Sequence, residues 1–336
     1  AKLPESSGYS TMIINAGETK NVGVDLTINS VNISNKDFTW NTALTLSHNK
    51  NTVEALTGEA IQLYEAKFGA NQSTHRIAVG ESLGQFYGYI TEGLYQVSDF
   101  DYDATTKTYT LKDGIAYHGN RNSIKPGMWK FKNVNDEDEI INEEDKTVIG
   151  NANPKFYGGL NNTFTYKNFD LSVFLTFSYG NEVLNATKLV SSKIGASKNN
   201  ALSVMSSANR WMTINAQGEI ITDPAELAAV NVGKTTPAYH DAEIGDYYIH
   251  SWAVEDASFL KLSNITIGYT FPKKMISKIG LSNLRLYATG NNLATWTKYS
   301  GYDPEVSTMK SGLTPGMDFG AYPRSRSFIF GVNVAF

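Results

Sequence analysis

Strict alternation of apolar and polar positions is the dominant pattern of this chain, and it is cleanest at the carboxyl end. One face there carries Phe328, Phe330, Val332, Val334 and Phe336, the other Ile329, Gly331, Asn333 and Ala335. Such spacing puts successive side chains on opposite faces of a strand, so one face meets an apolar medium and the other mixed surroundings. The pattern recurs upstream. Val22, Val24, Leu26 and Ile28 alternate with Gly23, Asp25, Thr27 and Asn29, and a slip at Ser30 that hands the register to Val31 and Ile33 predicts a bulge. Beyond Asn35-Lys36-Asp37, Phe38, Trp40, Thr42, Leu44 and Leu46 oppose Thr39, Asn41, Ala43, Thr45 and Ser47. A second hairpin is predicted from His75 to Tyr95, turning near Gly80 to Gly84. The clearest hairpin descends through Phe156, Gly158, Leu160, Phe164 and Tyr166, turns at Lys167-Asn168, and returns through Phe169, Leu171, Val173, Leu175, Phe177 and Tyr179. Ile265, Ile267, Tyr269 and Phe271 continue the theme, followed by Leu284, Leu286 and Ala288.

The connections sort by length. Short ones are expected at about 16–20, 35–37, 80–84, 167–168 and 272–281, and long ones at about 50–73, 96–154, 181–256 and 295–325. A meander with tight turns at one end and long loops at the other is the signature of an outer-membrane barrel. The fold class expected is therefore all-β, an antiparallel transmembrane β-barrel, with residues 1–336 one domain. Val173, Leu175, Phe177, Ile265, Ile267, Phe330, Val332 and Val334 are expected to face lipid, and the terminal strand to close the barrel. Phe38, Trp40, Tyr166, Phe169, Tyr269, Phe271 and Phe336 gather at the short-turn end as an interfacial girdle.

Composition narrows the alternatives. A mean hydropathy of −0.30 and no apolar run near the length of a spanning helix exclude a helical membrane bundle, whereas a barrel dilutes its apolar residues by alternation. A net charge of −4 with scattered basic residues gives nucleic acid no footprint. The absence of cysteine removes disulfide, thiolate-metal and cysteine-nucleophile chemistry. The start at Ala1, with neither Met nor a signal peptide, leads us to expect further sequence upstream.

Several blocks resemble, in order, the carboxyl-terminal barrel portion of SusC/RagA-type TonB-dependent transporters of Bacteroidetes outer membranes. They include Leu3 to Gly8, Asn21 to Leu26, Asp37 to Trp40, Val79 to Ser82 with Phe86-Tyr87-Gly88-Tyr89, Lys125-Pro126-Gly127, and Tyr157 to Leu160. Asp256 through Phe271-Pro272 is the most specific block, and Asn291-Asn292-Leu293 with the terminal strand completes the series. The resemblance implies a barrel of about twenty-two strands, filled by an amino-terminal plug and energised by TonB. It further implies a SusD-like surface lipoprotein as lid, a glycan or peptide substrate, and an outer membrane of lipid and lipopolysaccharide around the wall. This chain offers about nine or ten strands and no candidate plug. A non-transporting barrel, either an adhesin or a small-barrel enzyme, is the alternative.

Two site hypotheses follow. The run through Asn133, Asn135, Glu137, Glu139 and Glu144 resembles a calcium loop that many members of this family carry, although Asp138 stands where the turn glycine is expected and Asn133 lacks a charge. A solvated acidic loop is the competing reading. Aromatic and basic residues of the long loops, Arg210, Trp211, Tyr247, Tyr248, Trp252, Trp296, Tyr299, Tyr302 and Arg324, suit substrate or partner contact, or else loop packing and an outer girdle. The five histidines show no metal spacing and no nucleophile elbow is present, so no catalytic residue is expected.

Overall fold

A computed structural model describes residues 17–57, 61–65, 73–192, 201–238, 249–309 and 311–336. Seven long strands form one sheet: β1 (Gly17–Ser34), β2 (Phe38–Leu56), β3 (Phe156–Tyr166), β4 (Phe169–Tyr179), β5 (Phe259–Thr270), β6 (Asn283–Thr297) and β7 (Ser327–Ala335). Each pairs antiparallel with its neighbours in chain order. Among the described residues β1 and β7 have one partner each, so this sheet is an open arc of barrel wall.

The register carries one apolar face across all seven strands. One row runs Ile28, Leu44, Leu160, Leu175, Leu262 and Ala294, and another runs Leu171, Ile267, Ala288 and Phe330. The bulge expected near Ser30 is present as a register shift between Val31 and Ile33. Two more shifts, at Phe174/Leu175 and Leu262/Asn264, keep the apolar row of β5 in phase with its neighbours. The opposite face is laced by polar pairs. Ser47 donates to Asp25, Ser172 to Asn161, Asn264 to Asn291, and Thr176 meets Ser263. Arg285 donates from Nε and Nη2 to the two oxygens of Asp170 at 3.1 and 2.5 Å. Polar residues on the apolar face satisfy one another instead. The Thr42 hydroxyl and the Trp40 indole N–H both donate to Asn162, at 2.7 and 2.9 Å.

Barrel strands are joined at one end by 35–37, 167–168 and 271–282, and at the other by 57–155, 180–258 and 298–326. The expected sorting of loops holds, with corrections to its members. Residues 17–20 lie within β1, β2 runs on to Leu56, and 295–297 complete β6. The hairpin at 75–95 is not barrel wall. Ser73–Ala78 and Gln85–Gly88 pair with each other, and with 61–65 and 147–151, in a separate four-stranded sheet. That removal brings nine or ten expected strands down to seven. No helix among the described residues is long and apolar enough to cross a membrane.

The loops carry their own core. Phe86, Leu184, Ala186, Ile249 and Met317 form one buried cluster, and Tyr89, Trp129, Phe131, Ile141, Trp211 and Leu227 another. Gly127, at φ +87°, passes so close to the Trp211 ring that a Cβ would overlap it.

The two faces make an accessibility prediction. In the full-length parent reconstituted in lipid, spin labels at Val173 and Val332 should be relaxed by lipid-soluble oxygen and shielded from aqueous reagents. A label at Thr176 should behave oppositely, and a reversed pattern would overturn the assignment of faces.

Candidate binding site at the long-loop end

Above the polar face, a short strand Glu182–Asn185 is flanked by Val254–Asp256 and Met317–Asp318. Leu184 and Met317 bury on one face of this sheet, and the period of two turns Asn185, Glu255 and Asp318 to the other. With Lys188, Ser300 and Tyr302 these line a cavity of about 400 Å³, within the usual range for ligand pockets. Asn185 sits at the start of helix Ala186–Ser192, where its side-chain oxygen accepts from the Lys188 N–H at 2.9 Å.

The charges of this wall are prearranged. Lys188 Nζ lies 3.0 Å from Glu255, donates to the Trp252 carbonyl at 2.8 Å, and sits 4.0 Å above the Trp252 ring. Glu255 also accepts from the Ser300 N–H at 2.8 Å and its hydroxyl at 2.9 Å. Burial pushes the Glu255 carboxyl up, but the Ser300 donors and the Lys188 ammonium outweigh it and hold the group below its ordinary value. The Tyr299 hydroxyl donates to Asp318 at 2.6 Å. Burial first, then that hydrogen bond, pushes the Tyr299 hydroxyl well up, so it stays protonated.

A second cluster ties the 298–326 loop to the inner wall. Lys261 is buried on the polar face of β5 and contacts Glu305 at 2.5 Å. Arg324 reaches Asp303 at 2.6 Å and Glu305 at 3.3 Å. One barrel lysine and one loop arginine thus hold the loop over the rim of β5.

The structure separates the residues singled out in the sequence. Trp211 is 1% exposed and belongs to the loop core, with Arg210 beside it paired along the backbone to Thr236. Trp252 packs on both loop cores and supports Lys188. Trp296, 55% exposed, pairs with Leu260 on the outer face, near Phe156 and Tyr179 at the strand ends. Tyr299 is buried as a hydrogen-bond donor, Arg324 is in the latch, and Tyr302 lines the cavity. Tyr247 and Tyr248 lie outside the described residues. Lys188, Glu255, Lys261, Glu305 and Asp318 were missed by the sequence reading. Only Lys261, a cation between Leu260 and Leu262 on an alternating strand, carried a visible signal.

The acidic run does not arrange itself as a cation cage. The Asn133 side chain donates to the Asp138 carbonyl and accepts from the Asp136 N–H, while Asn135 donates to Glu144. Arg121 contacts Glu139 at 2.7 Å, and buried Asp145 accepts from the N–H groups of Val134, Asn135 and Asn142. The left-handed residue is Asp136, at φ 57°, not the sixth position where a calcium loop turns. Among the described residues no group of three His, Asp or Glu side chains gathers in ligand geometry.

Three buried histidines set an acid limit on the loop layer. Burial is the leading cause that lowers His75 and His118 to about 4 and His250 to about 3, with the Pro315 carbonyl opposing it at His75. All three are neutral when folded, whereas the unfolded chain takes up protons below the ordinary histidine value. Stability is therefore complete above that value and falls as the pH drops towards about 4. Tryptophan emission, reporting on Trp129, Trp211 and Trp252, should show the loops of the full-length parent melting at lower denaturant near pH ~5 than near pH ~7. A flat profile would count against neutral burial. The latch makes a separate prediction. Glu305→Gln leaves a buried ammonium without its carboxylate and should cost the loop about 3 kcal/mol. Lys261→Met should cost less, since Glu305 keeps Arg324. Limited proteolysis within 298–326 should rank the variants in that order.

No family model matches the chain. Its sequence is 33% identical over 341 residues to TonB-dependent receptor P3 of Formosa agariphila, covering 99% of this chain and 30% of that protein. It is 28% identical over 347 residues to TonB-dependent receptor SusC of Bacteroides thetaiotaomicron, covering 100% and 28%. Among solved structures, the RagAB peptide transporter superposes with a TM-score of 0.67 at 18% identity, over 100% of this chain and 31% of that one. A second RagAB structure, in a closed-closed state, gives 0.68 at 17% identity over 99% and 31%. These relatives are named as receptors or transporters, not enzymes, and they bear out the SusC/RagA-type resemblance read from the residues. The structural likeness carries the fold, part of a large antiparallel barrel, and the chain spans about three-tenths of its relatives' length.

Proposed function

We propose that this chain builds part of the wall and mouth of an outer-membrane nutrient importer. The observation that carries the reading is the inward latch, in which Lys261 of the wall and Arg324 of the loop hold Asp303 and Glu305 over the polar face. A wall that only anchored an adhesin would have no need to shape its inner rim. A small self-closing barrel would need β1 and β7 to pair, and the register gives each a single neighbour among the described residues. The short-turn end is periplasmic in this reading and the long loops extracellular. TonB would supply energy through parts of the parent outside this chain. A SusD-like lipoprotein would sit on the loops, where Ile220, Val232 and Tyr322 are 76%, 81% and 91% exposed. Exposed apolar and aromatic residues of this kind favour a protein contact.

Purification of the full-length parent from native membranes should bring down a surface lipoprotein. Single cysteines at Ile220 and Tyr322 should crosslink to it, and one at Val173 should not. Deleting the parent gene should abolish growth on one polymeric nutrient, with growth restored by the intact gene. Normal growth on every nutrient tested, together with no crosslinked partner, would overturn the reading.

A further inference from the structure

We infer that the cavity framed by Asn185, Lys188, Glu255, Ser300, Tyr302 and Asp318 is a charge-selective subsite for a neutral sugar ring, with the Lys188–Glu255 pair setting its selectivity. The inference rests on the import reading and names the ligand chemistry of one part of the mouth. Three features of the cavity carry it.

First, its charges are closed to anions. Lys188 is the one cation among the lining residues, and its ammonium is already bound to Glu255 at 3.0 Å and to the Trp252 carbonyl at 2.8 Å. Asp318 adds a second carboxylate, and its hydrogen-bond donors, the Tyr299 hydroxyl and the Ala321 N–H, are both uncharged. A ligand carboxylate or sulfate would meet two carboxylates and a lysine with no charge to spare.

Second, the remaining capacity of the wall suits hydroxyl groups. The Ser300 hydroxyl donates to Glu255 at 2.9 Å and accepts from the Asn185 amide at 3.3 Å, which leaves its second lone pair for a donor from outside. The four acceptor sites of Glu255 are taken by Lys188, the two Ser300 donors and the Asn185 amide, whereas Asp318, with the Tyr299 hydroxyl and the Ala321 N–H as donors, keeps acceptor sites for ligand hydroxyls. The converging groups are side-chain carboxylates, an amide and a hydroxyl, which match a polyol ring; an extended peptide would need a free row of backbone donors and acceptors.

Third, aromatic faces stand at the rim. Tyr302 lines the cavity and is 78% exposed, and Tyr322, 91% exposed, follows the lining residue Ala321. A ring held in the open beside a polar pocket offers a flat apolar platform.

Glu255 is the residue on which selectivity turns. Glu255→Gln keeps the shape and can still accept from Ser300, but it releases the Lys188 ammonium into the cavity. The test uses the full-length receptor, purified in detergent, and equilibrium binding, which needs no transport. The probes are neutral hexasaccharides of glucose, mannose and xylose, a galacturonate hexamer, and a hexa-alanine peptide. The wild type should bind at least one neutral hexasaccharide and bind the galacturonate at least about tenfold more weakly. Glu255→Gln should narrow or reverse that preference by about tenfold, and Tyr302→Ala should weaken neutral binding without changing the preference. Asp318→Asn, which leaves Lys188 paired, carries the test independently should Glu255→Gln fail to assemble, and it should also ease galacturonate binding. Tightest wild-type binding to the galacturonate or the peptide, no binding to any probe, or an unchanged preference in both carboxylate variants would overturn the inference. Failure of binding with growth still dependent on the parent would sink the subsite and spare the import reading. Loss of that growth dependence would sink the import reading.

Discussion

The structure depends on one constraint, that every backbone N–H and C=O within an apolar medium must find a partner inside the protein. Seven strands meet it by pairing side by side, β1 through β7, with no described strand inserted out of order. Once the ladder is fixed, the period of two leaves only two faces to fill. Leu171, Ile267, Ala288 and Phe330 fall on one, and Asp170, Arg285 and Thr289 on the other. A bulge that slipped one strand by a residue would exchange those faces, so each register shift has to leave the apolar row of its strand in phase.

That ladder also decides where irregular chain can go. Connections that are not helix or sheet must leave the apolar band, and here the long ones leave at a single end. Freed from the ladder, they fold as soluble protein does, with buried cores around Phe86 and Trp211 and small sheets of strands far shorter than those of the wall. The two regimes meet at the rim, where Lys261 of β5 reaches up to Glu305. A charge on the inner face is tolerated because a loop brings its partner to it.

This division explains what could be read from the sequence. The wall was legible because alternation persists over a full span. Phe169 to Tyr179 and Phe328 to Phe336 each announce their faces without help. The hairpin at 75–95 misled for the same reason, since a period of two marks any half-buried strand, in a membrane or out of it. Its brevity was the better clue, as Gln85–Gly88 could not cross a bilayer. Trp211 and Tyr299 looked like exposed loop aromatics because burial in a loop core leaves no periodic trace. The cavity was invisible for a stronger reason. Asn185, Glu255 and Asp318 come together through two strand pairings between segments far apart in the chain, and no local pattern encodes those pairings.

The aromatic residues fix where the site stands relative to the apolar band. Phe169 and Tyr166 mark the short-turn end of the β3–β4 hairpin, and Tyr179 stacked on Phe156 at 4.9 Å marks the other. The rise along β4 between them, tilted as barrel strands are, spans about 25 Å, close to the height of an outer-membrane apolar band. Trp296 sits at the same upper level on β6, opposite Leu260. Strand Glu182–Asn185 begins three residues beyond Tyr179, and Val254–Asp256 ends three residues before Phe259. In the import reading the cavity therefore lies just above the upper aromatic level, clear of the apolar band and in aqueous surroundings. That position lets it carry charged groups at little cost, and it keeps Glu255 and Lys188 where a dissolved ligand can reach them before it meets the wall.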